Sequence, residues 1–135
     1  MAMKLTMRSE YALLGLIYLG RDGSGGFVPV EVIARAQSIP VKYLEQILLA
    51  LKRGRLVRSS KGQHGGYQLV NPSNQITLAE VIRLFDGPLA ATASASKYFY
   101  APTPIERERR LHGFFKEIRD VIAQRMESVT IADVQ

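Results

Sequence analysis

Residues 46–79 hold Lys52, Arg53, Arg55, Arg58 and Lys61 and contain no Asp or Glu. Within this stretch an amphipathic run stops at Gly54. Two β-like runs follow, Leu56-Val57-Arg58-Ser59 and Tyr67-Gln68-Leu69-Val70, joined by a basic, glycine-rich turn over 61–66. A chain with this pattern must end a helix sharply and fold straight into a hairpin. A positive field on a helix-plus-hairpin unit attracts phosphates, which is how a winged helix-turn-helix meets DNA.

The segments on either side fit that architecture. From 7 to 19, apolar residues recur at Tyr11, Leu14 or Gly15, and Tyr18. This spacing predicts a first helix ending at Gly20, before a glycine-rich loop. Residues 30–36 predict a short second helix with Val32, Ile33 and Ala36 on one face, and Ser38-Ile39-Pro40 breaks it because the residue before proline avoids helical geometry. A third helix over 41–53 places Leu44, Ile47, Leu48 and Leu51 inward and leaves Lys42, Tyr43, Gln46 and Lys52 mostly outward. After the hairpin, Asn71-Pro72-Ser73-Asn74 forces a turn. Thr77 and Glu80 then have capping-box spacing at the head of a fourth helix, which ends at Asp86-Gly87-Pro88. The Ala, Ser and Thr tract over 89–97 reads as a loop rather than a core element. Beyond Pro102 and Pro104, a long charged helix carries Leu111, Phe115, Ile118, Ile122, Met126 and Val129 near heptad spacing, a stripe that needs a partner.

At 135 residues and 47% hydrophobic, the chain can bury one core. Its formal charge of +6 favours an anionic partner, nucleic acid ahead of a membrane surface. No segment has the roughly 18 apolar residues of a membrane span, and the first thirty lack a signal-peptide pattern, so the expected location is cytoplasmic. With zero cysteines, disulfides and thiolate ligation are impossible, and His64 and His112 are the only imidazoles. Neither histidine sits in a catalytic or metal motif. Glu106, Glu108 and Glu117 alternate with Arg107, Arg109, Arg110 and Arg119 as on a solvated coiled-coil flank. No enzyme activity, catalytic residue or metal site is expected.

Four separated blocks resemble the Rrf2 family of bacterial transcription regulators: Met3-Lys4-Leu5-Thr6 with Tyr11-Ala12-Leu13, the run Tyr43-Leu44-Glu45-Gln46-Ile47-Leu48, the wing 62–67, and Ile76-Thr77-Leu78-Ala79-Glu80-Val81-Ile82. The match is close over residues 3–88 and by layout beyond; Met1-Ala2 stand ahead of the family's usual start. The resemblance implies a mainly α fold with a small β-hairpin wing: a winged helix-turn-helix DNA-binding domain over 1–88, an effector or linker loop over 89–104, and a dimerisation helix and tail over 105–135. It implies a homodimer joined through the long helices, here Leu111, Phe115, Ile118, Ile122 and Met126. Many members carry three cysteines in the loop and bind an iron-sulfur cluster. The corresponding positions here are Ser94 or Ser96, Tyr100 and Glu106, and Tyr100 and Glu106 are not natural replacements for cysteine. A naturally cluster-free member with no cofactor is expected, in which Glu10, near a ligand position of some relatives, is a solvated carboxylate.

On that reading, the third helix enters the major groove by its N-terminal turn. Pro40 opens it, and Lys42, Tyr43 and Gln46 meet base edges and phosphates. Gln46 suits adenine, Lys42 suits guanine or phosphate, and Glu45 suits a cytosine amino group. Tyr43 has core packing beside Leu44 as its alternative. Lys61 leads the wing, flanked by Gly62, His64 and Gly65, and approaches a minor groove or backbone; Arg8, Arg53, Arg55 and Arg58 anchor phosphates. The partner is double-stranded DNA with a palindromic site, and repression is the favoured mode. The alternative is a protein-interaction module whose DNA binding depends on a regulatory protein or a small effector at the 89–104 loop.

Overall fold

The computed structural model describes residues 4–135. Met1, Ala2 and Met3, the last of these part of the first matching block, lie outside the described residues. The described chain forms α1 (Met7–Arg21), α2 (Val30–Gln37), α3 (Val41–Arg53), β1 (Val57–Ser60), β2 (Gly66–Leu69), α4 (Leu78–Asp86), α5 (Arg109–Ser128) and a last turn α6 (Ile131–Val134). The mainly α architecture with a hairpin wing and a long C-terminal helix is the one expected. None of these helices is long and apolar enough to cross a membrane.

Helix α1 begins at Thr6, whose hydroxyl accepts from the Ser9 amide at 3.3 Å. The Thr6 amide and hydroxyl both donate to the Asp86 carboxylate, tying the start of α1 to the end of α4. The buried face of α1 is Ser9, Ala12, Gly15, Leu16 and Leu19; of the expected Tyr11, Leu14 or Gly15, and Tyr18, only Gly15 lies on it. Small residues win the inward position because α3 comes close there: a Cβ on Gly15 would stand 3.7 Å from Leu44 Cδ1. The bulkier Tyr11, Leu14 and Tyr18 flank the core half-buried. Helix α2 is rotated similarly. It buries Ile33 and Ala34 against α1 and α3 and exposes Val32 and Ala36, and its last residue, Gln37, donates through its side chain to the Leu14 carbonyl at 2.8 Å.

Ser38 makes the turn into α3 with left-handed backbone (φ 55°), while the Ile39 amide donates to the Ala34 carbonyl at 2.9 Å. Helix α3 buries Leu44, Ile47, Leu48 and Leu51, as its spacing predicts. Its end departs from expectation in one respect. The Arg55 amide reaches the Lys52 carbonyl and the Leu56 amide reaches the Leu51 carbonyl, each at 3.0 Å, a Schellman closure. The left-handed residue in it is Arg55 (φ 62°), not Gly54 (φ −77°). At Gly54 a Cβ would lie 2.9 Å from Leu84 Cδ2, the movable end of an exposed side chain, so a small shift of Leu84 would admit it.

Strands β1 and β2 pair antiparallel in the register Val57↔Leu69, Arg58↔Gln68, Ser59↔Tyr67 and Ser60↔Gly66. Val28 adds a one-residue third strand, exchanging two backbone hydrogen bonds with Tyr67, both 2.8 Å. Gly66 makes this possible: its φ is 148°, and a Cβ would meet the Val28 carbonyl oxygen at 2.2 Å.

The C-terminal segment returns to the first unit. Leu78 donates to the Val129 carbonyl and Ile131 to the Ile76 carbonyl, both at 2.9 Å. Thr130 and Asp133 form a capping box that starts α6, and Ile131 is fully buried in the main core with Leu16, Ile33, Leu44 and Leu48. Val129, expected on the α5 stripe, has already left that helix. The 89–97 tract is also more than a surface loop. Ala90, Ser94, Ala95 and Ser96 are buried, and Arg119 of α5 donates to the Ala95 carbonyl at 3.1 Å. Side chains this small let an irregular segment pack beside helices while its backbone groups find partners.

Arg55→Gly is expected to raise stability by about 1 kcal/mol, or roughly 3–4 °C in thermal unfolding, by relieving left-handed strain. Gly66→Ala is expected to lower it by more than about 2 kcal/mol. An unchanged melting temperature in the Gly66 variant would mean that the Val28 pairing does not contribute to stability.

Candidate nucleic-acid interface

At about 100° per residue, Lys42, Glu45, Gln46, Leu49 and Arg53 share the face of α3 opposite its buried stripe, and all five are exposed. Pro40 precedes the helix and has no side-chain acceptor, so the amides of Val41, Lys42 and Tyr43 begin α3 without intrahelical partners. No acidic residue occupies this first turn. The positive end of the helix dipole and those amides make a phosphate a favourable neighbour.

Tyr43 does not enter the core beside Leu44. It is 43% exposed and braced edge-on against Tyr11 of α1, with ring centroids 5.3 Å apart and planes at 82°. Its ring is therefore positioned by packing while one edge faces outward. Burial, followed by the Glu45 charge, holds the Tyr67 phenol above its ordinary value.

At the wing tip Lys61, Gly62 and His64 are exposed. Gly62 has φ 98° and accepts a hydrogen bond from the Gly65 amide at 3.0 Å. A Cβ at Gly65 would strike the Ser60 carbonyl oxygen at 2.4 Å, so the hairpin's own backbone demands this glycine. Arg58 is directed by its cross-strand neighbour, donating through Nε to Gln68 Oε1 at 2.6 Å. Sequence reasoning missed Gln68; the signal available was that Arg58 and Gln68 each hold the second position of a paired run. Arg8 stacks over the Phe85 ring at 5.3 Å to the centroid, on the α4 side of α1.

The loop after α4 is organised by hydrogen bonds among its own side chains. The Ser94 and Thr103 hydroxyls pair, Thr92 lies 3.2 Å from Thr103, and a His112 ring nitrogen is 3.0 Å from the Ser94 carbonyl. The Tyr100 hydroxyl donates to Glu106 at 2.5 Å, and that bond raises the phenol above its ordinary value. Ser94, Ser96, Tyr100 and Glu106, where the family resemblance would put cluster ligands, thus engage neighbours through hydroxyl and carboxylate oxygens. Among the described residues no group of three His, Asp or Glu could hold a metal. A donor set without thiolates, already paired internally, does not fit an iron-sulfur cluster.

The α5 stripe divides between two faces. Ile122 and Met126 turn inward onto Ala79, Ile82 and Leu89, so they stabilise the chain's own fold. Phe115 and Ile118 are half-buried. The outward apolar residues are Leu111, Phe114 and Val121, exposed at 45%, 53% and 66%. Helix α4 and the segment that follows it pack against the inner face of α5 and take up Ile122 and Met126.

A helix-turn-helix followed by a hairpin wing defines this protein as a winged-helix regulator. The chain belongs to the Rrf2 family, described as iron-dependent transcriptional regulators, whose pattern it matches over residues 5–135. It is 34% identical over 135 residues to the HTH-type transcriptional regulator Rv1287 of Mycobacterium tuberculosis, covering 98% of this chain and 81% of that protein. Its fold is similar to the structure of CymR, the global cysteine regulator of B. subtilis (TM-score 0.76, 27% identity, 98% of this chain and 95% of that one). It is also similar to T. potens IscR (TM-score 0.68, 25% identity, 98% and 85%). The relatives are regulators rather than enzymes.

Glu106→Gln is expected to let Tyr100 ionise at lower pH, since the carboxylate that holds its proton is gone. Absorbance of the phenolate across an alkaline titration reads this directly. An unmoved titration would mean that the bond does not persist in solution.

Proposed function

We propose that the chain binds a palindromic operator as a homodimer, reads it sequence-specifically, and represses transcription by occupancy without an iron-sulfur cluster. The observation that carries this reading is the exposed, acid-poor face of α3 beside a basic, glycine-built wing tip. Lys42, Tyr43, Glu45 and Gln46 are the proposed groove-facing residues, entered through Pro40. Lys61 with Gly62, His64 and Gly65 forms the proposed wing contact, and Arg8, Arg53 and Arg58 supply phosphate contacts. The absence of an acidic side chain from 46 to 79 supports close approach to a polyanion.

Support for the homodimer comes from α5. Leu111, Phe114, Ile118 and Val121 recur at three- and four-residue intervals along a helix of roughly 30 Å, and three of them are largely exposed. A second copy of the same helix offers a complementary apolar face, and two-fold symmetry then yields a two-fold operator. A cytoplasmic location follows from the proposed target. A second reading is favoured by Tyr98, Phe99 and Tyr100, all exposed on the 89–104 loop: a regulatory protein or small effector engages these rings and conditions DNA binding.

Selection from a random duplex pool at physiological salt should recover a palindrome; recovery of no motif would remove the sequence-specific reading. On that site, Lys61→Ala is expected to weaken binding and to lower the slope of log affinity against log salt by about one unit. An unchanged slope would take Lys61 off the phosphates. Phe114→Asp is expected to yield monomers in sedimentation and a large loss of operator affinity, whereas a surviving dimer would place the interface elsewhere.

A further inference from the structure

We propose that Leu49 is a specificity-determining residue that reads a thymine C5-methyl group in the major groove. This rests on the DNA-binding reading above and adds a base and a contact to it. Leu49 is 38% exposed and lies about 150° round α3 from the centre of the stripe Leu44, Ile47, Leu48 and Leu51. It is therefore near the middle of the outward face, with Glu45 and Gln46 on the turn above and Arg53 on the turn below.

An isolated surface leucine ordinarily requires no explanation. This one stands on the face proposed to lose its water against base edges, among side chains that otherwise donate or accept hydrogen bonds. Lys42, Glu45, Gln46 and Leu49 follow the intervals 0, +3, +4 and +7, the spacing with which the third helix of a homeodomain sets its base-reading residues. Lys42, Glu45 and Gln46 can address hydrogen-bonding edges of guanine, cytosine and adenine. The remaining distinctive major-groove feature is the thymine methyl, which apolar side chains recognise. Leu49 is the member of the set with that chemistry, and a polar base edge opposite it would be desolvated without a partner.

The test substitutes deoxyuridine for each thymine of the selected operator in turn, preserving base pairing and removing only the methyl. Wild-type protein is expected to lose about fourfold in affinity per half-site at one position, the factor for burying one methyl-sized group. The corresponding loss is about 15-fold when both halves of a palindrome are changed. Leu49→Ala should bind the thymine operator more weakly and show no difference between thymine and deoxyuridine at that position. Leu49→Gln should behave likewise, and both should retain the wild-type melting temperature because the side chain lies outside the core. Equal wild-type binding to every deoxyuridine duplex, or undiminished discrimination in Leu49→Ala, would overturn the assignment. Failure of the DNA-binding reading itself looks different: wild-type protein would select no duplex, and the Leu49 inference would fall with it.

Discussion

The closeness of α1 to α3 is the constraint on which the rest of the molecule depends. Ala12 and Gly15 present almost no side chain, so Leu44 and its neighbours on α3 seat directly against α1. Burial of four large aliphatic side chains from one helix contributes on the order of 6–12 kcal/mol before entropy is counted. Because those four occupy one side of α3, its opposite side is fixed outward as a consequence. The geometry of the proposed DNA face is thus set by apolar packing behind it, not by any interaction among the polar residues that would touch DNA.

The wing is held to the same frame by backbone pairing. Val28, emerging from the loop after α1, hydrogen-bonds to Tyr67 of β2, and Gly66 admits that approach. Leu56 and Val57 enter the core at the other end of the hairpin. A tip carrying Lys61 is consequently anchored at two points relative to α3. The C-terminal residues close the arrangement: Ile131 inserts beside α1, and the bridge between Thr77 and Thr130 lashes the end of α5 to the start of α4. A shift of α5 on dimer formation or effector binding would therefore be felt at α1 and α4, which contact α3 directly or through one neighbour.

The family's iron chemistry and this chain's loop part company on chemical grounds. Where thiolates would be needed, this sequence supplies a hydroxyl paired with Thr103 and a tyrosine bonded to Glu106. Ala90, Ser94, Ala95 and Ser96 are buried, and the Ser94 and Ala95 carbonyls meet His112 and Arg119 of α5, giving the segment a packing role that composition alone disguised.

Much of the fold and the candidate site could be read from residue order. The α3 stripe, the hairpin with its basic tip and the cap at Thr77 all rest on local rules, in which periodicity and backbone preference act within a few residues. What could not be read were relations between distant segments. The rotation of α1 and α2 was decided by how closely helices approach, the Val28 strand by a partner 39 residues away, and the division of α5 by the elements packed against its inner face. Charge, the absence of cysteine and the helix-hairpin pattern were determined by the sequence itself, because they need no knowledge of neighbours. Which side chains face outward together, and hence which can share one groove of DNA, was decided only by tertiary packing, because burial is a property of surfaces that meet.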